Sequence, residues 1–424
     1  MKTPNLTRPK MLVLGLQHMF AMFGATVVMP ALTGLSVSAT LLFVGLGTLL
    51  FHWCTKGKVP AFLGASFSFL IGYWAIAPHG EKELLPYACL GVIGAGMIYI
   101  IVAGLIKLFG PQKILRFIPP VVTGPIIIAI GLTLAKPSVE NCGANPAISI
   151  LAAAIVIICM VFGHRMIKLI PVIIASVVSY AVAACCGHID FSGVAAAPWW
   201  GLPFKMEDTV FGLIGRPHFD YGLLLSSILT IAPIAFASVI EHLGDISAIS
   251  STVGQNFIKD PGLHRTLTGD GLATILAAMF GAPANTTYGE NIGVLNITKV
   301  FDPRVVRLAA IFAIFLAFCP KIAALIAAMP QATIGGISLV LSGMIAAVGV
   351  RNLCEANIDF LRERNIIVVA LILVLAVGIN STAAEALSLK LGPLAIKISG
   401  LAAGAMAGIL ANAILPCPKK EENK

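Results

Sequence analysis

LGASFSF at residues 63–69 and TYGENIG at residues 287–293 decide how the rest of the chain is read. Both are short and rich in small or hydroxylic residues, and both are set among long apolar runs. A hydropathy window alone misses the second. Counted as spans, they bring the apolar segments to fourteen: 11–33, 36–55, 60–78, 86–108, 114–135, 147–162, 168–187, 222–246, 266–281, 290–301, 305–327, 332–350, 364–380 and 393–415. Most are about 17 to 25 residues long, enough to cross a hydrocarbon core of about 30 Å. Inside that core every backbone amide needs a partner, so the segments are expected to be helices.

Charge supports the count. With the N-terminus in the cytoplasm and strict alternation, the inner loops hold 21 Lys and Arg and the outer loops 7, all 28 accounted for, which is the positive-inside bias. Dropping one segment flips every later loop and destroys the split. An even count puts both termini in the cytoplasm. The start, MKTPNLTRPKMLVLGLQHMF, is basic and then apolar with no small-residue cleavage site, so it reads as a retained first helix.

Composition excludes a soluble globule. The chain is 58% hydrophobic and 11% charged, with a mean hydropathy of +0.96, against about 25% charged in soluble domains. The net charge of +9 comes from the inner loops, so it does not point to nucleic acid. The nine cysteines are scattered without metal-ligand spacing, and no metal or organic cofactor is expected. There is no P-loop and no nucleophile elbow, which speaks against an enzyme. HRTLTGDG at 264–271 reads as a loop whose His264 has no second ligand at helix spacing. In the long outer loop, 188–221, Trp199 and Trp200 beside Pro198 and Pro203 read as an interfacial anchor.

The two halves echo each other. Gln17-His18 in the first segment matches Glu241-His242 in the eighth. IPPVVTG, with Pro119 and Gly124, matches the Pro330-to-Gly335 spacing of MPQATIGG in the twelfth. The third and tenth segments are the two short ones already quoted. Three matches in the same order divide the chain into seven plus seven. An odd number of spans per repeat inserts the second copy upside down, the inverted plan of secondary transporters. In that plan two broken helices meet at the midplane and build the binding site.

Acids inside membrane segments are costly and mark function. Glu241 and Asp245 sit one turn apart on one face of the eighth segment, and Glu290 opens the tenth. Carboxylates only accept hydrogen bonds, so a pair of them suits a neutral heterocycle with ring N–H donors. Mutual repulsion and desolvation raise carboxyl pKa values, so one acid can carry a coupling proton. Phe67 and Tyr288 are the aromatic candidates for stacking on a flat ring. His18, the only ionisable residue of the first segment, reads equally as a packing or a functional histidine.

At this point the chain resembles the nucleobase–cation symporter-2 family, over about residues 8 to 415. GLQHMFAMFGATVVMP (15–30), PAFLGASFSF (60–69), IEHLGDI (240–246) and DPGLHRTLTGDGLAT (260–274) resemble its first, third, eighth and ninth helices. ENIGVLNITK within NTTYGENIGVLNITKV (285–300) matches the family signature: an acid or amide, Asn, any residue, Gly, four residues, Thr, then a basic residue. Purine and xanthine branches usually carry Gln in the first place, and Glu290 resembles the uracil branch.

The resemblance implies a core domain, residues 1–110 and 222–328, and a gate domain, 111–190 and 329–424, with 191–221 an extracytoplasmic loop. It implies Glu241 and Glu290 as the groups that bind a pyrimidine, with Phe67, Gly289, Tyr288 and Ala25 lining the pocket. Proton symport and homodimers are implied too. Glu241, Glu290, Asp245 and His18 are the candidates for proton coupling. Two departures stand out: Asp245 where some uracil permeases have His, and Ser342 where some have Tyr. The rival readings are a purine or xanthine permease and an anion transporter of the same fold. Against the latter, no Lys or Arg falls mid-segment beside the two Glu.

Overall fold

A computed structural model describes residues 7–78, 80–115, 119–164, 167–214, 219–382, 386–391 and 394–416; of Ala25 and Glu290 it describes the backbone only. Its elements in chain order are α1 (Arg8–Thr33), α2 (Val37–Cys54), β1 (Leu63–Ala65), a 3-10 turn at Phe67–Phe69 running into α3 (Leu70–Ile76), α4 (Leu85–Phe109), α5 (Pro111–Leu115), α6 (Pro120–Gly143), α7 (Pro146–Phe162), α8 (Pro171–Cys185) and α9 (Ser192–Ala196). The second half continues with α10 (Tyr221–Ile231), α11 (Ile234–Val253), α12 (Leu263–Met279), β2 (Asn285–Thr287), α13 (Glu290–Thr298), α14 (Pro303–Ala317), α15 (Pro320–Ala327), α16 (Gln331–Glu355), α17 (Glu363–Asn380), β3 (Ala386–Leu391), β4 (Leu394–Ser399) and α18 (Gly400–Ile414).

Local chemistry sets the helix ends. Pro occupies the first turn of α1, α4, α6, α7, α8, α14 and α15, where its missing N–H costs nothing. Side chains of Ser36, Asn145, Asp220, Asp302 and Ser399 cap α2, α7, α10, α14 and α18. Gly34 ends α1 in the left-handed region, φ 79°, which glycine enters without strain.

The fold is that of an all-α multi-pass membrane protein. Among the described residues, seven helical runs are long and apolar enough to cross a bilayer unaided, with α10 and α11 forming one of them; α14 and α15 form an eighth, bent by 83°. The shorter apolar helices are Phe67–Ile76, α7, α8 and α18. With α12 and α13, these fall on the fourteen segments read from the sequence.

Many of the helix packings come in pairs related by an exchange of segment n with segment n + 7. The second segment packs on the eleventh (α2 on α14), and the ninth on the fourth (α12 on α4). Likewise the first meets the eleventh and the eighth meets the fourth; the sixth meets the twelfth and the thirteenth meets the fifth. The neighbours α7 and α8 correspond to α17 and α18, and α1 against α8 to α11 against α18. The two broken segments pair with each other: β1 and β2 run antiparallel, Gly64 opposite Thr286. Antiparallel pairing of equivalent strands is what a second copy turned over relative to the first produces. The match between the fifth and twelfth segments is also a contact, because α6 and α16 lie side by side.

Some boundaries differ from the sequence reading. The fifth segment, expected at 114–135, is α6 at 120–143: a helix starts cleanly after Pro119, and Pro137 lies inside it instead of ending it. Membrane helices tolerate such prolines because neighbours re-satisfy the freed carbonyl. The fourteenth segment, expected at 393–415, begins as strand β4, paired with β3 from Ala386↔Ser399 to Leu391↔Leu394, and becomes helical only at Gly400. The alternation in ALSLKL and LAIKIS is the period of a strand, and the run of apolar residues concealed it. HRTLTGDG is not a loop. It lies within α12, and its Asp270 is fully buried.

Candidate substrate site

The two broken segments cross at β1–β2, and the site is built on that crossing. Each strand is three residues long and leaves the chain free to restart as a half-helix. After β1 the 3-10 turn begins at Phe67; after β2, Gly289 precedes α13, which Glu290 opens.

Tyr288 pins the crossing. Its backbone N–H donates to the Phe62 carbonyl at 3.1 Å and its hydroxyl to the Ala65 carbonyl at 2.9 Å. The ring lies against Gly64, and any side chain at 64 collides with it. Its face is covered by a cluster that includes Met19, Met22, Phe62 and Val294. Tyr288 therefore holds the backbone on which Gly289 and Glu290 sit.

Glu241, half-buried on α11, faces the turn after β1, where the Ser68 hydroxyl donates to Oε2 at 2.9 Å. Asp245, one turn further, faces the other broken segment: its Oδ1 stands 3.1 Å from where a Cβ on Gly289 would sit. The structure thus brings Glu241, Asp245, Phe67 and Gly289 to one junction. Phe67 is half-buried and packs against three separate apolar clusters. Ala25 lies in the second half of α1; its side chain and that of Glu290 are outside the described residues.

Behind the crossing lie two polar networks that sequence reasoning did not assemble. His18 Nδ1 is 3.0 Å from Asn291 Oδ1, and Asn291 Nδ2 donates to the Pro60 carbonyl at 2.7 Å, which joins α1, α13 and the approach to β1. His242 Nδ1 is 3.0 Å from Asp270 Oδ2 and 2.9 Å from Thr287 Oγ1, which joins α11, α12 and β2. The signal for Asn291 was its place next to Glu290 in the signature, and for Asp270 its being the one acid of the ninth segment. Ser68 carried no signal; only its hydrogen bond distinguishes it from the other serines.

A cavity of about 530 Å³ opens among the C-terminal ends of α1, α3, α6 and α17 and the start of α16. A narrower cleft shares Leu32 and Trp74 with it and reaches Phe67, Ser138, Ser338 and Ser342. Ser342 Oγ lies 3.4 Å from Ser138 Oγ, so the sites of the α6 and α16 serines form one polar patch opposite Phe67. No group of His, Cys, Asp and Glu among the described residues could hold a metal ion.

Comparison with known proteins agrees with this architecture. The chain resembles in fold the transmembrane domain of a cyanobacterial bicarbonate transporter, BicA, with a TM-score of 0.61 at 13% identity, over 84% of this chain and 97% of that one. It resembles SLC26A9 with a TM-score of 0.64 at 13% identity, over 95% and 64% of the two chains. In sequence it is 39% identical to a uracil permease of Bacillus caldolyticus, over 97% of this chain and 94% of that protein, and 39% identical to one of Bacillus subtilis (strain 168), over 96% and 93%. A uracil permease of Escherichia coli (strain K12) is 37% identical over 88% and 86%. The model of a family described as "Permease family" matches residues 9–384. Permeases move solutes and are not enzymes, and this chain belongs to that permease family, the nucleobase–cation symporter-2 family.

Proposed function

We propose that this permease imports uracil by proton symport, with the pyrimidine held between Glu241 and Glu290 at the crossing of the two broken segments. The observation that carries the reading is the convergence of Glu241, Phe67 and Gly289 on one junction in a chain whose relatives, at 39% identity over nearly their whole length, are uracil permeases. The two carboxylates accept from the ring N–H groups, Phe67 covers the ring face, and the Gly289 backbone closes the edge. Tyr288 holds that backbone in place, and Ala25 lines the pocket from α1. No cofactor takes part, and the coupling ion is the proton. It resides on Glu241 or Glu290, with Asp245 and His18 next to them.

The core domain comprises segments one to four and eight to eleven, and the gate domain the remaining six. Support comes from the packing: α2, α4, α12 and α14 pack among themselves, as do α6, α7, α16, α17 and α18. The permease sits as a homodimer in a bacterial inner membrane with both termini in the cytoplasm. In that orientation the large cavity opens outward, the side from which an importer loads.

The test is radiolabelled uracil uptake into proteoliposomes, with and without an inward proton gradient, for the wild type and Glu241→Gln. Gradient-stimulated uptake that the variant loses supports the reading. Uptake indifferent to the gradient removes the coupling. No uracil uptake by verified, folded protein moves the substrate to a purine or xanthine, which competition with xanthine then identifies.

A further inference from the structure

We propose that the outer cavity is itself a binding site, a low-affinity station where a neutral planar heterocycle rests on the Trp74 indole before it reaches Phe67. The identity of that heterocycle as uracil rests on the function proposed above. The volume, about 530 Å³, lies in the range of about 300 to 1,000 Å³ typical of small-molecule sites, and it is far wider than the cleft below it. Trp74 lines both spaces. Its indole N–H donates to the Leu32 carbonyl at 3.0 Å, which ties the ring to the end of α1 and fixes its plane. With its only polar atom committed, the half-buried indole has a flat face to offer, and flat bases stack on such faces regardless of their substituents.

Three side-chain amides line the same cavity from three helices: Asn141 on α6, Gln331 on α16 and Asn380 on α17. An amide both donates and accepts, which suits the alternating N–H and C=O edge of a pyrimidine. The inner site differs, since carboxylates only accept. The charged residues of the lining are Lys136 and Glu140, one turn apart on α6. They cancel, so the rim attracts neither anions nor cations by charge alone. Stacking surface, amides and a neutral rim together select an uncharged, hydrogen-bonding ring.

Trp74 is one of four tryptophans, which makes the proposal measurable. Replacing Trp53, Trp199 and Trp200 by Phe leaves Trp74 as the sole emitter, and Glu241→Ala removes a carboxylate of the inner site. Titrating this purified full-length protein with uracil is expected to quench Trp74 saturably with a Kd on the order of 1 mM. Adding Gln331→Ala and Asn380→Ala is expected to weaken that binding about tenfold. The absence of saturable quenching overturns the station, and so does quenching that the amide variants leave unchanged. An independent readout avoids the Glu241 substitution: in an otherwise wild-type chain the two amide replacements raise the KM for uracil uptake about threefold, and an unaltered KM overturns the proposal. Failure of the substrate reading is distinguishable, because then the wild type neither takes up uracil nor binds it at either site.

Discussion

Ser68 is the residue whose role only the folded chain reveals. It donates to Glu241 at 2.9 Å and so fixes one oxygen of the carboxylate that we propose binds the substrate. A hydrogen bond to a charged group contributes about 1.5–3 kcal/mol, so Ser68→Ala should cost about tenfold or more in uptake at limiting uracil, read as kcat/KM in proteoliposomes. Ser68→Thr, which keeps the hydroxyl, should recover most of it. Asp245 makes a different prediction. It stands beside Gly289 and not at Ser68, and we place it on the proton path. Asp245→Asn should bind uracil with an affinity within about twofold of wild type while gradient-driven accumulation falls. Unchanged accumulation would remove Asp245 from the coupling.

At the scale of elements, α6 and α16 approach backbone to backbone. A Cβ on Gly131 would lie 2.5 Å from the Ser342 carbonyl, and one on Gly349 would lie 2.6 Å from the Gly124 carbonyl. Small residues let membrane helices touch backbone to backbone, and Gly124 belongs to one of the repeated motifs, IPPVVTG. Gly131→Leu should therefore force the helices apart. Overpacking of this kind costs about 1–3 kcal/mol or more, visible as a lowered apparent melting temperature in detergent and a loss of the monodisperse peak. A normal melting profile would mean that the helices part easily. The elements also show where apolarity misleads: β4 and α18 were read as one apolar span because hydropathy does not separate a period of two from a period of 3.6 in so apolar a run.

At the scale of the whole molecule, Phe67 lies where three apolar clusters meet, and the cleft beside it runs between α3 on one side and α6 and α16 on the other. A substrate deep in that cleft reaches the far side only if the two helix groups move relative to each other. Leu32 of α1 packs against the cluster that holds Ile334 of α16, and both line the outer cavity. In a background with the nine native cysteines replaced, oxidising a Leu32→Cys, Ile334→Cys pair should cut uptake at least about tenfold, and reduction should restore it. Full uptake by the verified cross-linked protein would exclude that motion.

Composition and spacing determined the membrane class, the count of fourteen and the sevenfold offset, because burying a chain in lipid constrains length, charge and polarity locally, segment by segment. The same locality made Glu241, Asp245 and Glu290 legible, since an acid in an apolar segment stands out wherever its partners are. Which residues meet those acids was not local. Ser68 lies 173 positions from Glu241 and Asn291 lies 273 from His18. The antiparallel pairing of β1 with β2 joins two three-residue strands too short to be predicted singly. Asp270 looked like part of a loop because Gly and Thr surround it, yet those small residues are what allow α12 to pack against α2 and α4 with the acid buried against His242. Partners of this kind depend on how helices cross, and only the tertiary structure sets that crossing.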